Sequence, residues 1–269
     1  MMSCSVSIVI PAYNEASRIV ASLAEVLAFA RGYAAIAEII IVDDGSTDRT
    51  AELVEAAARE ATGPASPRVA LVRHPANRGK GAAVRTGFEA AHGDIVLFTD
   101  ADLSTPITEA PRLIEPIAAD RREVVIGSRA LDASKIELHQ SLFRRNAGRT
   151  FNRLVRWCTG LDLLDTQCGF KAFRRAAMAP LFKMQRIEGF AFDVELLYLA
   201  HRRGLRISEL PVRWAHAHGS KVSMFVHTWE MAIDLARIRW NDLLGRYPID
   251  EDPIPSADPR AENPARISQ

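Results

Sequence analysis

Short apolar runs alternating with helix-period segments set the tightest limit on what this chain can fold into. Val6 to Ile10 precedes a helical pattern from Ser17 to Ala30, and Glu38 to Val42 precedes one from Asp48 to Ala61. Val69 to Arg73 leads to Lys80 to Ala91, Ile95 to Phe98 leads to Ile107 to Ala119, and Val124 to Gly127 forms a fifth run. Strand and helix patterns at this spacing predict βαβ units and an α/β fold with a mainly parallel sheet. The runs are apolar throughout, as strands covered by helices on both faces must be. Ligands in such sheets bind beyond the carboxyl ends of the strands.

Polar residues collect at those ends. Tyr13, Asn14 and Glu15 follow the first run, Asp43 and Asp44 the second, and Asn77, Arg78 and Lys80 the third. Asp100 and Asp102 follow the fourth run, Ser128 and Arg129 the fifth. The second half is less regular. Leu142 to Cys158, Phe192 to Arg203 and Phe225 to Leu244 read as helices, and Gly169 to Arg174 and Arg206 to Val212 as strands. The expected organisation is one domain over 1–248, with a nucleotide-binding half to about 105 and an acceptor half from 106. From Pro248 the tail carries five prolines, mixed charge and few aliphatics, so residues 249–269 are expected to be disordered.

Composition excludes several classes. A net charge of +1 gives no global field favouring nucleic acid. The three cysteines have no metal-ligand spacing and read as reduced thiols, consistent with a cytoplasmic chain. Met1 to Val6 lacks the features of a secretory signal, and no window reaches eighteen consecutive apolar residues, so attachment at a membrane would be peripheral.

The chemistry starts from Asp100-Ala101-Asp102, where Thr99 leads out of an apolar strand into two carboxylates. Two hard oxygen ligands suit Mg²⁺ or Mn²⁺, ions that bridge proteins to phosphate oxygens. In Asp43 to Asp48, the Ser, Thr and Asp residues suit a turn and helix cap. Asp43, on the strand end itself, suits either that turn or a nucleobase N–H or ribose hydroxyl. Asn77-Arg78-Gly79-Lys80-Gly81 matches neither phosphate-loop pattern, yet its glycines permit close approach to a ligand and its cations supply positive charge. Asp165 and Gln167, between a loop and a strand, could bind sugar hydroxyls or their own loop backbone. His216 and His218 read as a polar loop near an acceptor phosphate, and Cys168 as a buried small residue.

These motifs, in order and spacing, resemble the family 2 glycosyltransferases of the GT-A fold. The likeness is carried by Ser7 to Glu15, Ile41 to Asp48, Asn77 to Gly81 and Asp100 to Asp102. It implies that Pro11, Tyr13, Glu15, Asp43 and Lys80 contribute to a nucleotide-sugar site of the UDP-glucose or GDP-mannose class. It also implies that Asp100 and Asp102 hold the metal that clamps the diphosphate. Ile126 to Arg129, Asp165 to Lys171, Phe192 to Glu195, and Trp214 with Gly219 to Lys221 resemble the polyprenyl-phosphate sugar synthases, glucose-transferring members first and mannose-transferring ones next. That implies inverting transfer of a hexose to a dolichyl- or undecaprenyl-type phosphate. Members often carry a transmembrane anchor, and no segment of this sequence is expected to serve as one.

A phosphate acceptor needs no general base but does need cations, for which Arg129, Arg144, Arg145 and Lys221 are candidates. Leu138 to Leu161 holds five arginines and no acid, a composition suited to an anionic membrane surface. A second reading keeps the donor but gives the enzyme a soluble sugar or protein hydroxyl, with Asp193 or Glu195 as base. Readings of another class are a haloacid-type Asp-x-Asp phosphohydrolase, whose motif is usually nearer the N-terminus, and a non-catalytic nucleotide-binding module.

Overall fold

A computed structural model describes residues 4–61, 63, 66–131, 152–215 and 224–248, with side chains from 229 onward in the last stretch. In chain order these residues form β1 (Val6–Ala12), α1 (Ile19–Gly32), β2 (Ile36–Asp43), α2 (Thr50–Glu60), β3 (Arg68–Arg73) and α3 (Lys80–Ala90). Next come β4 (Ile95–Thr99), a 3₁₀ turn (Ile107–Glu109), α4 (Ala110–Ala118), β5 (Val124–Ser128) and α5 (residues 152–159). The order closes with β6 (Phe170–Arg174), α6 (Arg175–Met184), α7 (Phe192–Arg202), β7 (Ile207–Pro211) and α8 (Met224–Leu243).

One seven-stranded sheet runs in the order β3-β2-β1-β4-β6-β5-β7. The chain winds outward from β1 to β3, then returns to place β4 on the other side of β1. Strand order therefore reverses between β1 and β4, and the crevice beyond their carboxyl ends is where an open α/β sheet binds its ligand. All neighbours pair parallel except β6, which runs antiparallel between β4 and β5. The α/β class and mainly parallel sheet agree with the sequence pattern. The insertion of β6 did not follow from it, because the pattern carries no strand direction.

Alternate residues along each central strand enter cores on opposite faces. Val9, Ile40, Val42 and Phe98 pack with α3, α6 and α7, while Ile8, Ile10, Ile39 and Ile41 pack with α1 and α4. That is why these strands are largely apolar, with Ser7 and Glu38 buried against each other through a 2.7 Å hydrogen bond. β3, at the sheet edge, is only half-buried. Helix α6 was not foreseen: it follows β6 without a turn and has Pro180 in its interior, a signal that argues against a helix. The tail, Arg144, Arg145, His216, His218, Lys221 and most of the arginine-rich segment lie outside the described residues.

Candidate active site

The loops after β1 and β2 are stapled together by side chains that sequence reasoning read mainly as a cap. Asn14, at φ 55°, accepts from the Thr47 backbone N–H at 2.9 Å and from Thr47 Oγ1 at 3.2 Å. Its own N–H donates to Ser46 Oγ at 2.9 Å. Glu15 N–H donates to Thr50 Oγ1 at 2.8 Å, and Ala16 N–H to Asp48 Oδ2 at 3.2 Å. Asp48 also accepts from the Thr50 N–H at 2.9 Å, so part of the capping role holds. Pro11 is half-buried between the buried Ile10 and Ala12, Tyr13 beyond the strand is 44% exposed, and Glu15 pairs with Arg18 at 2.7 Å.

Asp43 and Asp44 divide their work. Asp43 is fully buried at the strand end; its Oδ1 accepts from the Ser46 N–H at 3.2 Å and its Oδ2 lies 3.4 Å from Arg73 Nε. Asp44 organises the next loop, accepting from the Arg78 N–H at 3.0 Å and the Gly79 N–H at 2.8 Å, and meeting His74 Nδ1 at 2.7 Å. His74 continues to Thr86 Oγ1 at 2.9 Å. Neither Asp44 nor His74 was singled out as a site residue, although Asp44's place beside Asp43 was a signal.

The glycines of the Asn77–Gly81 loop serve a different purpose from the expected one. A Cβ on Gly79 (φ 107°) or on Gly81 would collide with the backbone of 187–188. They admit another segment of the chain rather than a ligand. That segment is fixed by Glu188, which pairs with Arg78 at 2.7 Å and Arg85 at 2.9 Å.

The consequence is a placed lysine. Lys80, the first residue of α3, reaches Asp100 Oδ1 at 2.7 Å and lies 5.3 Å from the centre of the Phe98 ring. Burial opposes its charge, but Asp100 and then Asp193 hold its pKa above the ordinary lysine value. Asp100 packs directly on Gly169, where any side chain would overlap its carboxylate. Asp102 Oδ1 accepts from the Ser104 N–H at 3.0 Å.

Behind this pair lies a buried ion pair. Lys171, on the inserted strand β6, is 1% exposed, and its Nζ lies 2.9 Å from Asp193 Oδ1 and 2.5 Å from Cys168 O. It faces Phe98 at 5.9 Å from the ring centre, so this ring is flanked by both lysines. Burial pushes the Asp193 carboxyl up, and Lys171 and Lys80 pull it back only in part. Glu195, the other candidate base of the hydroxyl-acceptor reading, accepts from the backbone N–H of Arg186 at 3.0 Å and Ile187 at 2.9 Å and from Tyr247 OH at 2.5 Å. Cys168 is buried as expected, and burial above all raises its thiol to about 11.

Arg129 and Asp165, read separately from the sequence, form one unit. Arg129 Nε and Nη2 donate to the two carboxylate oxygens at 2.7 and 2.8 Å, and its backbone N–H adds a third bond at 2.9 Å. Burial works against both charges. Even so, Arg129 holds the Asp165 carboxyl below its usual range, and Asp165 holds the guanidinium charged. Glu209 anchors the loop through the Asp165 N–H at 2.7 Å. Gln167 points to Met231 Sδ on α8, at 3.5 Å.

Two carboxylates at a switch point, next to a lysine and a polar cradle, suit the diphosphate of a nucleotide with its metal. Among the described residues no group of three or more His, Cys, Asp or Glu side chains could hold a metal. Asp100 and Asp102 nonetheless fit Mg²⁺ or Mn²⁺, which commonly takes one or two carboxylates and completes its shell with phosphate oxygens and water. Solved structures share the fold. Glucosyl-3-phosphoglycerate synthase from Mycobacterium tuberculosis, in complex with Mn²⁺, uridine-diphosphate-glucose and phosphoglyceric acid, superposes with a TM-score of 0.65 at 21% identity, covering 93% of this chain and 81% of that one. The architecture is that of the GT-A glycosyltransferases.

The model of glycosyl transferase family 2 matches residues 7–182, and the chain belongs to that family. Its relatives include the dolichyl-phosphate beta-glucosyltransferase of Saccharomyces cerevisiae, 37% identical over 253 residues that span 90% of this chain and 76% of the relative. The enzyme of that name from Homo sapiens is 33% identical over 255 residues, 91% of this chain and 78% of the relative.

Proposed function

We propose that this chain is a hexosyltransferase that moves glucose from a nucleotide-diphosphate glucose, of the UDP-glucose class, to a dolichyl-type polyprenyl phosphate, with inversion at the anomeric carbon. The observation that carries this reading is the likeness to dolichyl-phosphate beta-glucosyltransferases over about nine-tenths of the chain. The donor would lie over the β1–β4 crevice, with Asp43 and the stapled loops around the nucleoside.

Asp100 and Asp102 would hold Mg²⁺ or Mn²⁺, which when bound neutralises charge on the leaving diphosphate. Lys80 is positioned by Asp100 to add a second cation there. Arg129 is pre-oriented by Asp165 and would turn its remaining guanidinium edge to an acceptor phosphate. Lys221, Arg144 and Arg145 are further candidates for that phosphate.

A phosphate arrives ionised and needs no side chain to take its proton. The two candidate bases are engaged in ways that fit this: Asp193 by Lys171, and Glu195 by two backbone N–H groups and Tyr247. A lipid acceptor places the enzyme at a membrane surface, and among the described residues no helix is long and apolar enough to cross a membrane. The test is transfer from UDP-glucose to a short polyprenyl phosphate, with the matching polyprenol as control. Product from the phosphate alone is expected. Efficient glycosylation of the alcohol, abolished in Asp193→Asn, would overturn the reading in favour of a hydroxyl-acceptor enzyme.

A further inference from the structure

We infer that Lys171 is a positioning residue for sugar transfer: it ties down the carboxylate of Asp193, which would otherwise draw Lys80 away from the leaving diphosphate. The inference rests on the reading of Lys80 as a diphosphate contact. Strand register brings the groups together. β6 pairs antiparallel with β4, with Lys171 opposite Phe98, so both side chains leave the same face of the sheet. The ladder continues past the strands, where the Asp100 N–H donates to the Gly169 carbonyl at 3.1 Å. Phe192, the residue before Asp193 at the start of α7, meets the Phe98 ring edge-on at 5.9 Å. One ring is thus shared by two lysines and by the turn of helix that carries Asp193.

Exposure separates the two lysines. The side chains of Lys80 and Asp100 keep 21% and 33% of their surface open, so their pair faces the crevice. Those of Lys171 and Asp193 keep 1% and 4%, so theirs lies in the interior. Lys171 is the ion-pair partner of Asp193 Oδ1, and no hydrogen bond from another described group reaches that oxygen. The cations whose charge acts on Asp193 are Lys171 and then Lys80. The carboxylates whose charge acts on Lys80 are Asp100, then Asp193, then Asp102. Asp100 sets Lys80 beside the metal ligands, whereas Asp193 pulls it toward the interior.

A buried carboxylate without a cation is costly, and it takes whatever cation is in reach. Without Lys171 that cation is Lys80. Its ammonium would turn inward, and the crevice would lose a positive charge where the diphosphate departs. Lys171 prevents this from a position closed to solvent. Its second bond, to the Cys168 carbonyl at 2.5 Å, holds the chain just before Gly169, on which Asp100 packs. Lys171 therefore secures both partners of Lys80, the one that places it and the one that competes for it.

The experiment is calorimetric binding of pyrophosphate in the presence of Mn²⁺ to the full chain, with no base, sugar or acceptor involved. A failed transfer to polyprenyl phosphate would therefore overturn the proposed function and leave this result intact. The unaltered chain is expected to bind the probe, and Lys80→Gln should weaken binding about tenfold. Lys171→Gln keeps a donor for the Cys168 carbonyl and removes the charge, and it should weaken binding by about as much. The two together should match Lys80→Gln alone within about twofold, because Lys171 acts through Lys80. A merely structural fault would add to the loss of Lys80, giving about a hundredfold. That additive result would overturn the proposal. So would full binding by Lys171→Gln, or an unaltered chain that ignores the probe. Should Lys171→Gln fail to fold, Lys171→Met with Asp193→Leu removes the whole pair. This variant is expected to bind within about twofold of the unaltered chain and to lose about tenfold when Lys80→Gln is added. Lost binding in that variant, folded by circular dichroism, would equally overturn the proposal.

Discussion

The β1–β3 edge and the β5–β6–α7 region hold their functional side chains in different ways. At the β1–β3 edge, neutral and charged side chains bind backbone N–H groups of adjacent loops: Asn14 on Thr47, Asp44 on Arg78 and Gly79. In the second region the ties are ion pairs between distant segments, Arg129 with Asp165 and Lys171 with Asp193. Side chains that satisfy loop backbone shape a cradle, whereas buried pairs keep charge in place where water is scarce. The first region suits a ligand recognised by shape and hydrogen bonds, the second a reaction between anions.

The substitutions that probe this contrast run from large effects to small. Asp102→Asn, where the two regions meet, should lower turnover by about 10²–10³-fold. It should also abolish Mn²⁺ binding by calorimetry with the fold intact. Full activity in chelator would remove the metal from the mechanism.

Lys171→Met tests whether the second region depends on its buried pair. Leaving Asp193 uncompensated should cost about 3–5 kcal/mol in denaturant unfolding, and adding Asp193→Leu should restore much of it. A loss under 1 kcal/mol, on the order of a surface pair, would erase the contrast.

Asp44→Asn should cost about 1–3 kcal/mol, because it loosens the bonds to His74, Arg78 and Gly79. Donor affinity should fall with it, since Lys80 follows directly in the loop. Unchanged affinity by calorimetry would separate the loop from the donor.

The smallest effect is read in pH. Asp165 has a folded pKa below its ordinary 3.8, so the unfolded chain binds its proton first. Its stabilising contribution is present above that ordinary value and is lost as pH falls through the folded one. Thermal unfolding between pH 5 and about 3 should therefore steepen in the unaltered chain and flatten in Asp165→Asn. Parallel curves would mean that the pair adds nothing.

By itself the sequence determined the strands, their polar ends and the motif order, because hydrophobic period and turn chemistry are local. Asp43, Lys80, Asp100 and Asp102 were legible for that reason: each lies where an apolar run stops or a loop enters a helix. Tertiary structure alone decided the rest. No local signal says that β6 would run antiparallel between β4 and β5, and that placement buries Lys171 opposite Asp193. The glycines of the third loop looked ready for a ligand, yet their space is filled by residues 187–188, more than a hundred positions away. Glu195 had the chemistry of a base, but the backbone N–H groups of Arg186 and Ile187 claim its oxygens. A residue's type limits what it can do, but burial and partners assign what it does, and both come from contacts between segments that lie far apart along the chain.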